Sequence, residues 1–229
     1  MRKLFYFTFI TILFLACKQT GKQPEINLPT SKTSTKQIPE TAQKIAKKYG
    51  IENWDKVSQI AFTFNVNRRK MPFQRSWVWH PKTGKVTMTT LKDTIKYNRN
   101  KIDSLSLKYD KAFINDKYWL LAPFNLVWDK GTSFSEKQKA VAPISKDTLS
   151  LLTITYNNDV GYTPGDAYDF YYDTNYLIKE WSFRKGNKKT PSLSTTWEEN
   201  KTVKDIIFST MRQDSTGYFK VFFTDISIK

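Results

Sequence analysis

Asp166-Ala167-Tyr168-Asp169-Phe170-Tyr171-Tyr172-Asp173 is the stretch that decides the fold. Side chains alternate faces along a strand, so Tyr168, Phe170 and Tyr172 fall together on one side of it. Strand patterns continue on both flanks, at Thr148 to Tyr156, Tyr176 to Arg184, Ser194 to Lys201, Val203 to Arg212 and Tyr218 to Ile228. Trp181 and Phe183 share a face in the same way. Turn formers such as Asn157-Asn158-Asp159, Asp173-Thr174-Asn175 and Lys185-Gly186-Asn187 mark breaks between them. Sequential strands joined by short loops predict an antiparallel run within one large curved sheet.

Working toward the N-terminus, the pattern changes to a helical one between Leu105 and Val127. Leu105, Tyr109, Ala112 and Phe113 have helical spacing, Tyr118-Trp119-Leu120-Leu121 adds apolar surface, and Pro123 is expected to interrupt or end the helix. Before it, Val57 to Val66 alternates with Ile60, Phe62, Phe64 and Val66 on one face. Arg75 to His80 places Trp77 and Trp79 on one face of a second strand. Pro81-Lys82-Thr83-Gly84 turns the chain into Lys85 to Thr90, and Asp93 to Tyr97 reads as a short further strand. Pro39 to Tyr49 is an amphipathic helix, with Ala42, Ile45 and Tyr49 on one stripe and Gly50 placed as its cap. The fold class expected is α+β, mainly β: a curved antiparallel half-barrel whose helices cover an apolar concave face.

The N-terminus is an export signal in its chemistry. Arg2 and Lys3 precede the uncharged run from Leu4 to Leu15, and Ala16-Cys17 follows. That run is too short for a membrane span of roughly 20 helical residues. Phe14-Leu15-Ala16-Cys17 resembles the lipobox of bacterial lipoproteins, with Phe14 where Leu is usual and Leu15 where a smaller residue is usual. The resemblance implies cleavage before Cys17 and acylation of its sulfur and new amino group. Cys17 is the only cysteine, so its acylation leaves no thiol for disulfides, redox work or metal binding. Residues 18–38 are polar and rich in Pro, Ser and Thr, which suits a tether. The expected organisation is a signal peptide at 1–16, an acylated cysteine and tether at 17–38, and a single domain at 39–229.

The chain of 229 residues carries 37 Lys and Arg against 21 Asp and Glu, a formal +16, and removal of the signal takes away only Arg2 and Lys3. In an exported chain that surplus points to anionic headgroups, acidic envelope polymer or a partner protein. The lysines are scattered and no nucleic-acid-binding motif accompanies them, so nucleic acid is not an expected partner.

Catalytic motifs are scarce. The one histidine, His80, would have to serve a Ser-His-Asp triad or a zinc site alone, and the eight glycines form no phosphate-cradling motif. Asp169 and Asp173 share a strand face about 13 Å apart, beyond the roughly 5 to 9.5 Å of glycosidase carboxylate pairs. Asp166 has the opposite parity. Carboxylates from neighbouring strands leave a hydrolase as a third reading. No catalytic residue, metal or cofactor is assigned, and a non-enzyme is expected.

Aromatics make up 15% of the chain, seven of them Trp, and such side chains dominate both cores and binding pockets. Ala112 to Phe124, with Gly165-Asp166-Ala167-Tyr168-Asp169 and Asp173, resembles a group of bacterial lipoproteins of unassigned function. The order of elements resembles the LolA- and LolB-like lipoprotein-localisation superfamily. That resemblance implies a half-barrel closed by helices over an apolar cavity that receives acyl chains; no single residue's role is carried over. The expectation is an envelope lipoprotein of a Gram-negative bacterium, on the periplasmic face of the outer membrane, binding a lipid or other hydrophobic ligand. Candidate cavity residues are Trp77, Trp79, Phe113, Trp119, Phe124, Trp128, Tyr168, Phe170, Tyr172 and Trp181. The second reading is an interaction lipoprotein whose basic face binds acidic polymer or protein.

Overall fold

A computed structural model describes residues 38–68, 71–158 and 162–229. The signal peptide, Cys17 and the tether up to residue 37 lie outside the described residues. The described residues form one compact unit.

Helix α1 (Glu40–Lys48) starts after Pro39, buries Ala42, Ile45 and Ala46, and places Lys47 and Lys48 in its last turn. Cations there complement the exposed carbonyls at the helix end. Gly50 follows at φ 89°, where a side chain would be strained, and a Cβ there would collide with the Asp205 carbonyl. Tyr49 fixes this corner from both ends: its carbonyl accepts from the Ile207 N–H at 3.0 Å and its hydroxyl from the Ile178 N–H at 3.2 Å.

All strand pairing is antiparallel. The first half of the chain gives β1 (Ile60–Arg68), β2 (Met71–His80), β3 (Lys85–Thr89) and β4 (Thr94–Asn98). Helix α2 (Leu107–Trp128) intervenes. After it come β5 (Thr132–Val141), β6 (Thr148–Tyr156), β7 (Ala167–Tyr172), β8 (Ile178–Arg184) and β9 (Leu193–Thr196), then β10 (Glu198–Val203), β11 (Ile206–Gln213) and β12 (Phe219–Ile228). Hydrogen bonding orders them as a seven-stranded sheet, β10-β11-β12-β1-β2-β3-β4, and a five-stranded sheet, β5-β6-β7-β8-β9. The last strand thus returns beside the first, with Phe64 opposite Phe223.

The expected strand from Ser194 to Lys201 is divided at Trp197, which ends one sheet and begins the other. Twisted sheets of more than about ten strands tend to curl or split, and the split here is built from side chains. Trp197 turns inward, 3% exposed, and the guanidinium of the fully buried Arg212 lies 3.6 Å from its ring centroid. Burial pulls Arg212 down to about 9, and its Nη1 donates to the Ser209 carbonyl. The Gln213 N–H donates across the seam to Thr196 Oγ1 at 3.1 Å. The two sheets are therefore curved layers of one mainly β domain, with no closed barrel among the described residues.

Strand β5 has no counterpart in the sequence reading. Its centre, Ser135 to Lys139, is exposed and largely charged, and it lies at the edge of its sheet. Edge strands carry such charges to resist pairing with other chains, which erases the apolar alternation that betrays an inner strand.

Helix α2 lies in the concavity and touches both sheets. Leu120 through Leu126 are all buried, as expected of a helix apolar on every side. Pro123 sits inside it and the backbone departs from helical geometry at Leu121 (φ −112°, ψ 18°). The interruption is a kink, because Pro123 lacks the N–H that would bond the Trp119 carbonyl and its ring crowds that carbonyl. Two acids pin the helix to the seven-stranded sheet. Asp116 accepts from Arg75 Nε at 2.8 Å, Arg75 Nη2 at 2.7 Å and Trp77 Nε1 at 2.9 Å. Asp110 accepts from Arg99 Nε at 2.8 Å, Tyr97 at 3.1 Å and Tyr162 at 2.9 Å. Burial pushes the Asp116 carboxyl up, while Arg75 pulls it down.

Candidate functional site

The register of the five-stranded sheet sets an aromatic floor. Tyr168 on β7 stands opposite Ile154 on β6 and Phe183 on β8, and Phe170 stands opposite Trp181. Tyr168 consequently stacks on both Trp181, at 5.4 Å, and Phe183, at 5.3 Å. Tyr156 meets the edge of Tyr168 at 5.7 Å. Above this floor, α2 presents Ile114, Tyr118 and Trp119. Tyr118 touches Tyr168 at 4.8 Å and Trp119 touches Trp181 at 4.6 Å.

These contacts do not fill the space. A cavity of about 600 Å³ remains between α2 and the floor, also bordered by Arg99, Lys111, Asn115, Lys117, Asn125, Asp129, Lys130, Tyr162 and Thr163. That volume lies within the roughly 300–1,000 Å³ range of small-molecule sites, which are apolar pockets with a few placed polar groups.

The polar groups are unevenly signed. Arg99 is tied to Asp110, and Asp129 accepts from Tyr156 Oη at 2.6 Å and from Asn125 Nδ2 at 2.9 Å to each oxygen. Lys117 is different. It is 7% exposed, and its Nζ lies 6.0 Å from the Trp79 ring and 5.6 Å from the Trp128 ring. Its one hydrogen bond, to Asn125 Oδ1, is 3.5 Å long. Among the described residues no carboxylate comes within ion-pair distance of it. Burial pulls the amine down to about 8, with Asp129 acting in the other direction. The hydroxyls of Tyr118 and Tyr156 are both pushed up, chiefly by burial.

Of the ten residues chosen from sequence, Trp119, Tyr168 and Trp181 border this cavity. Trp77, Trp79, Phe113 and Phe124 are instead core: Phe113 packs edge-on against Trp77 at 5.3 Å and Trp79 at 5.5 Å, and Phe124 packs on Trp54 at 5.6 Å. Trp128 closes that core cluster, 4.9 Å from Trp54 and 5.2 Å from Phe124. Phe170 is fully buried, and Tyr172 stacks on Tyr176 at 5.8 Å. Tyr156 and Phe183 were missed although their parity matches Tyr168 and Trp181. Lys117 was missed too, and its signal was its position as the one cation between Ile114 and Trp128; lysine in an apolar helix is seldom buried without a role.

The remaining polar candidates have local partners. Asp169 lies on the other face of β7, where it pairs with Arg184 at 2.8 Å and accepts from Thr153 at 2.6 Å. Asp173 accepts from the Asn175 and Leu177 N–H groups of its turn, and Asp166 from the Gly186 N–H. His80 is half-buried at the β2–β3 turn, where its carbonyl accepts from the Gly84 N–H at 2.9 Å. Among the described residues no three His, Cys, Asp or Glu converge as metal ligands, and no helix is long and apolar enough to cross a membrane.

No protein-family model and no curated relative matches the chain. Among solved structures it is similar to a DUF1329 family protein from Desulfovibrio piger, at 8% identity and a TM-score of 0.48, over 82% of this chain and 92% of that one. It is also similar to a LolA superfamily protein from Nitrosomonas europaea, at 11% identity and a TM-score of 0.46, over 83% and 94%. The fold class itself rests on the strand order and on α2.

Proposed function

We propose that the protein is a lipid-anchored envelope protein that holds a hydrophobic ligand, a lipid or acyl chain, between α2 and the five-stranded sheet. The observation that carries this reading is the cavity of about 600 Å³ bordered by Trp119, Tyr168, Trp181 and Phe183. Protein interiors are packed as densely as organic crystals, and a gap of this size beside so much aromatic surface forfeits contacts that a guest supplies. The reading is of a binding protein and not an enzyme. Anchoring is carried by the lipobox-like Phe14-Leu15-Ala16-Cys17, and several acyl chains on Cys17 suffice for stable attachment where one is marginal. The periplasmic face of the outer membrane is the location that suits an exported, acylated chain behind a short polar tether.

Intact and native mass spectrometry of the full chain recovered from membranes tests both parts. The expected result is a mass lacking residues 1–16 and carrying acyl groups, together with a non-covalent amphiphile. Trp119→Asp, which places a charge in the aromatic wall, is expected to lose the amphiphile and keep the acyl groups. A ligand-free wild type that also takes up no fluorescent fatty acid contradicts the cavity reading. An unmodified Cys17 contradicts the anchor.

A further inference from the structure

The lysine in the cavity wall has no use in a site for a purely hydrocarbon guest. A buried cation is costly unless it is paired and hydrogen-bonded, and the ordinary remedy is a neighbouring carboxylate. Lys117 lacks one within ion-pair distance among the described residues, and its contact with Asn125 Oδ1 stands at the 3.5 Å limit of a hydrogen bond. The nearest acid, Asp129, is already engaged by Tyr156 and Asn125. Lys111 and Lys130 border the same space, so its charge is positive in sum. A further donor in this wall, the Trp181 indole N–H, is buried without a hydrogen-bond partner. The Tyr118 hydroxyl has an acceptor in that of Tyr156, which donates to Asp129 and keeps its lone pairs. The wall therefore holds unused donors, on Lys117 and Trp181, around an apolar floor.

We propose that the guest is a single-chain amphiphile with an anionic oxygen head, a carboxylate or phosphate monoester, whose head pairs with Lys117 while its chain lies on Tyr168, Trp181 and Phe183. This rests on the reading of the cavity as a hydrophobic-ligand site. A carboxylate or phosphate oxygen is an acceptor without protons to place, which matches a wall of unused donors.

The test is calorimetric titration of the full chain at pH 7 with hexadecanoate, hexadecyl phosphate and hexadecanol, which share one chain and differ in head. At least one anion is expected to bind about tenfold or more tightly than the alcohol, the scale of a charge-assisted hydrogen bond. The stronger of the two anions identifies the head. Lys117→Met is expected to bring all three to a common affinity. Equal binding of anions and alcohol by the wild type, or an anion preference that survives Lys117→Met, overturns the head-group assignment and leaves the cavity reading standing. Failure of all three to bind overturns both. A pH series on the wild type gives the same decision without a variant. The charged groups around the amine are Asp129, Lys130, Lys111 and the Arg99–Asp110 pair, and the Tyr118 and Tyr156 hydroxyls stay neutral because burial raises both. The anion preference is expected to fall as pH rises above about 8, where Lys117 loses its proton. A preference unchanged to pH 10 overturns the assignment.

Discussion

The two sheets line one concavity with the same kind of residue, and yet one half is filled and the other is not. Over the seven-stranded sheet, Trp77, Trp79 and Phe113 interlock, and Asp116 binds Arg75 and Trp77 at once. Over the five-stranded sheet, Tyr168, Trp181 and Phe183 stack among themselves and α2 sets two rings against them, Tyr118 and Trp119. The difference lies in the covering helix and not in the strands. Asp116 and Lys117 are adjacent in sequence, and of the two only Lys117 borders the cavity. The acid finds three hydrogen bonds from Arg75 and Trp77, and the amine finds one long contact. An aromatic strand face is thus a core or a binding floor according to what the helix opposite presents.

The filled half is the place to break this arrangement. Asp116→Ala leaves the Arg75 guanidinium and the Trp77 N–H without their partner, and removing one member of a buried ion pair costs about 3–5 kcal/mol. Chemical denaturation is expected to show a loss of that size. A loss under about 1 kcal/mol, the level of an exposed pair, contradicts the role given to Asp116.

The open half predicts a smaller change of opposite sign. The Lys117 amine is pulled down to about 8 in the folded protein, against about 10.4 in an unfolded chain. The unfolded state therefore binds more protons between these values, and stability rises with pH through that window. Below about pH 8 the full cost of burying the charge is present. Lys117→Met removes it, so the variant is expected to be more stable than wild type by about 3 kcal/mol at pH 7. The gap should close as pH approaches 10.4. Denaturation at pH 7 and pH 10 checks it, and a destabilised variant at pH 7 contradicts the unpaired state of the amine.

How far this was readable from sequence follows from the same contrast. Faces were legible: the alternation of Tyr168, Phe170 and Tyr172, and of Trp77 and Trp79, correctly assigns each to an inward side. Helix α2 and the interruption at Pro123 were legible from spacing and from proline chemistry. Occupancy was not, because whether Phe113 reaches Trp79 or Trp119 leaves a gap above Tyr168 depends on the tilt and kink of one helix between two curved sheets. Strand β5 was hidden by the charges that protect an edge. The seam at Trp197 was hidden because Arg212, a cation by composition, behaves as a core residue stacked on an indole ring. The polar half of the site escaped for a related reason: attention to aromatics passes over a lone lysine whose meaning comes from the partner it lacks.

The most direct test of the central claim is quenching of tryptophan fluorescence by a dibrominated fatty acid, because bromine quenches only at close range. Trp119 and Trp181 border the cavity, while Trp77 packs on Phe113 in the core and Trp197 lies behind Trp181, its ring 6.4 Å away. The account predicts saturable quenching by the full chain, most of which is lost when Trp119 and Trp181 are both replaced by Phe, with binding of the unbrominated acid retained. Quenching undiminished in the double variant, or none in the wild type, would contradict a guest lying between α2 and the five-stranded sheet.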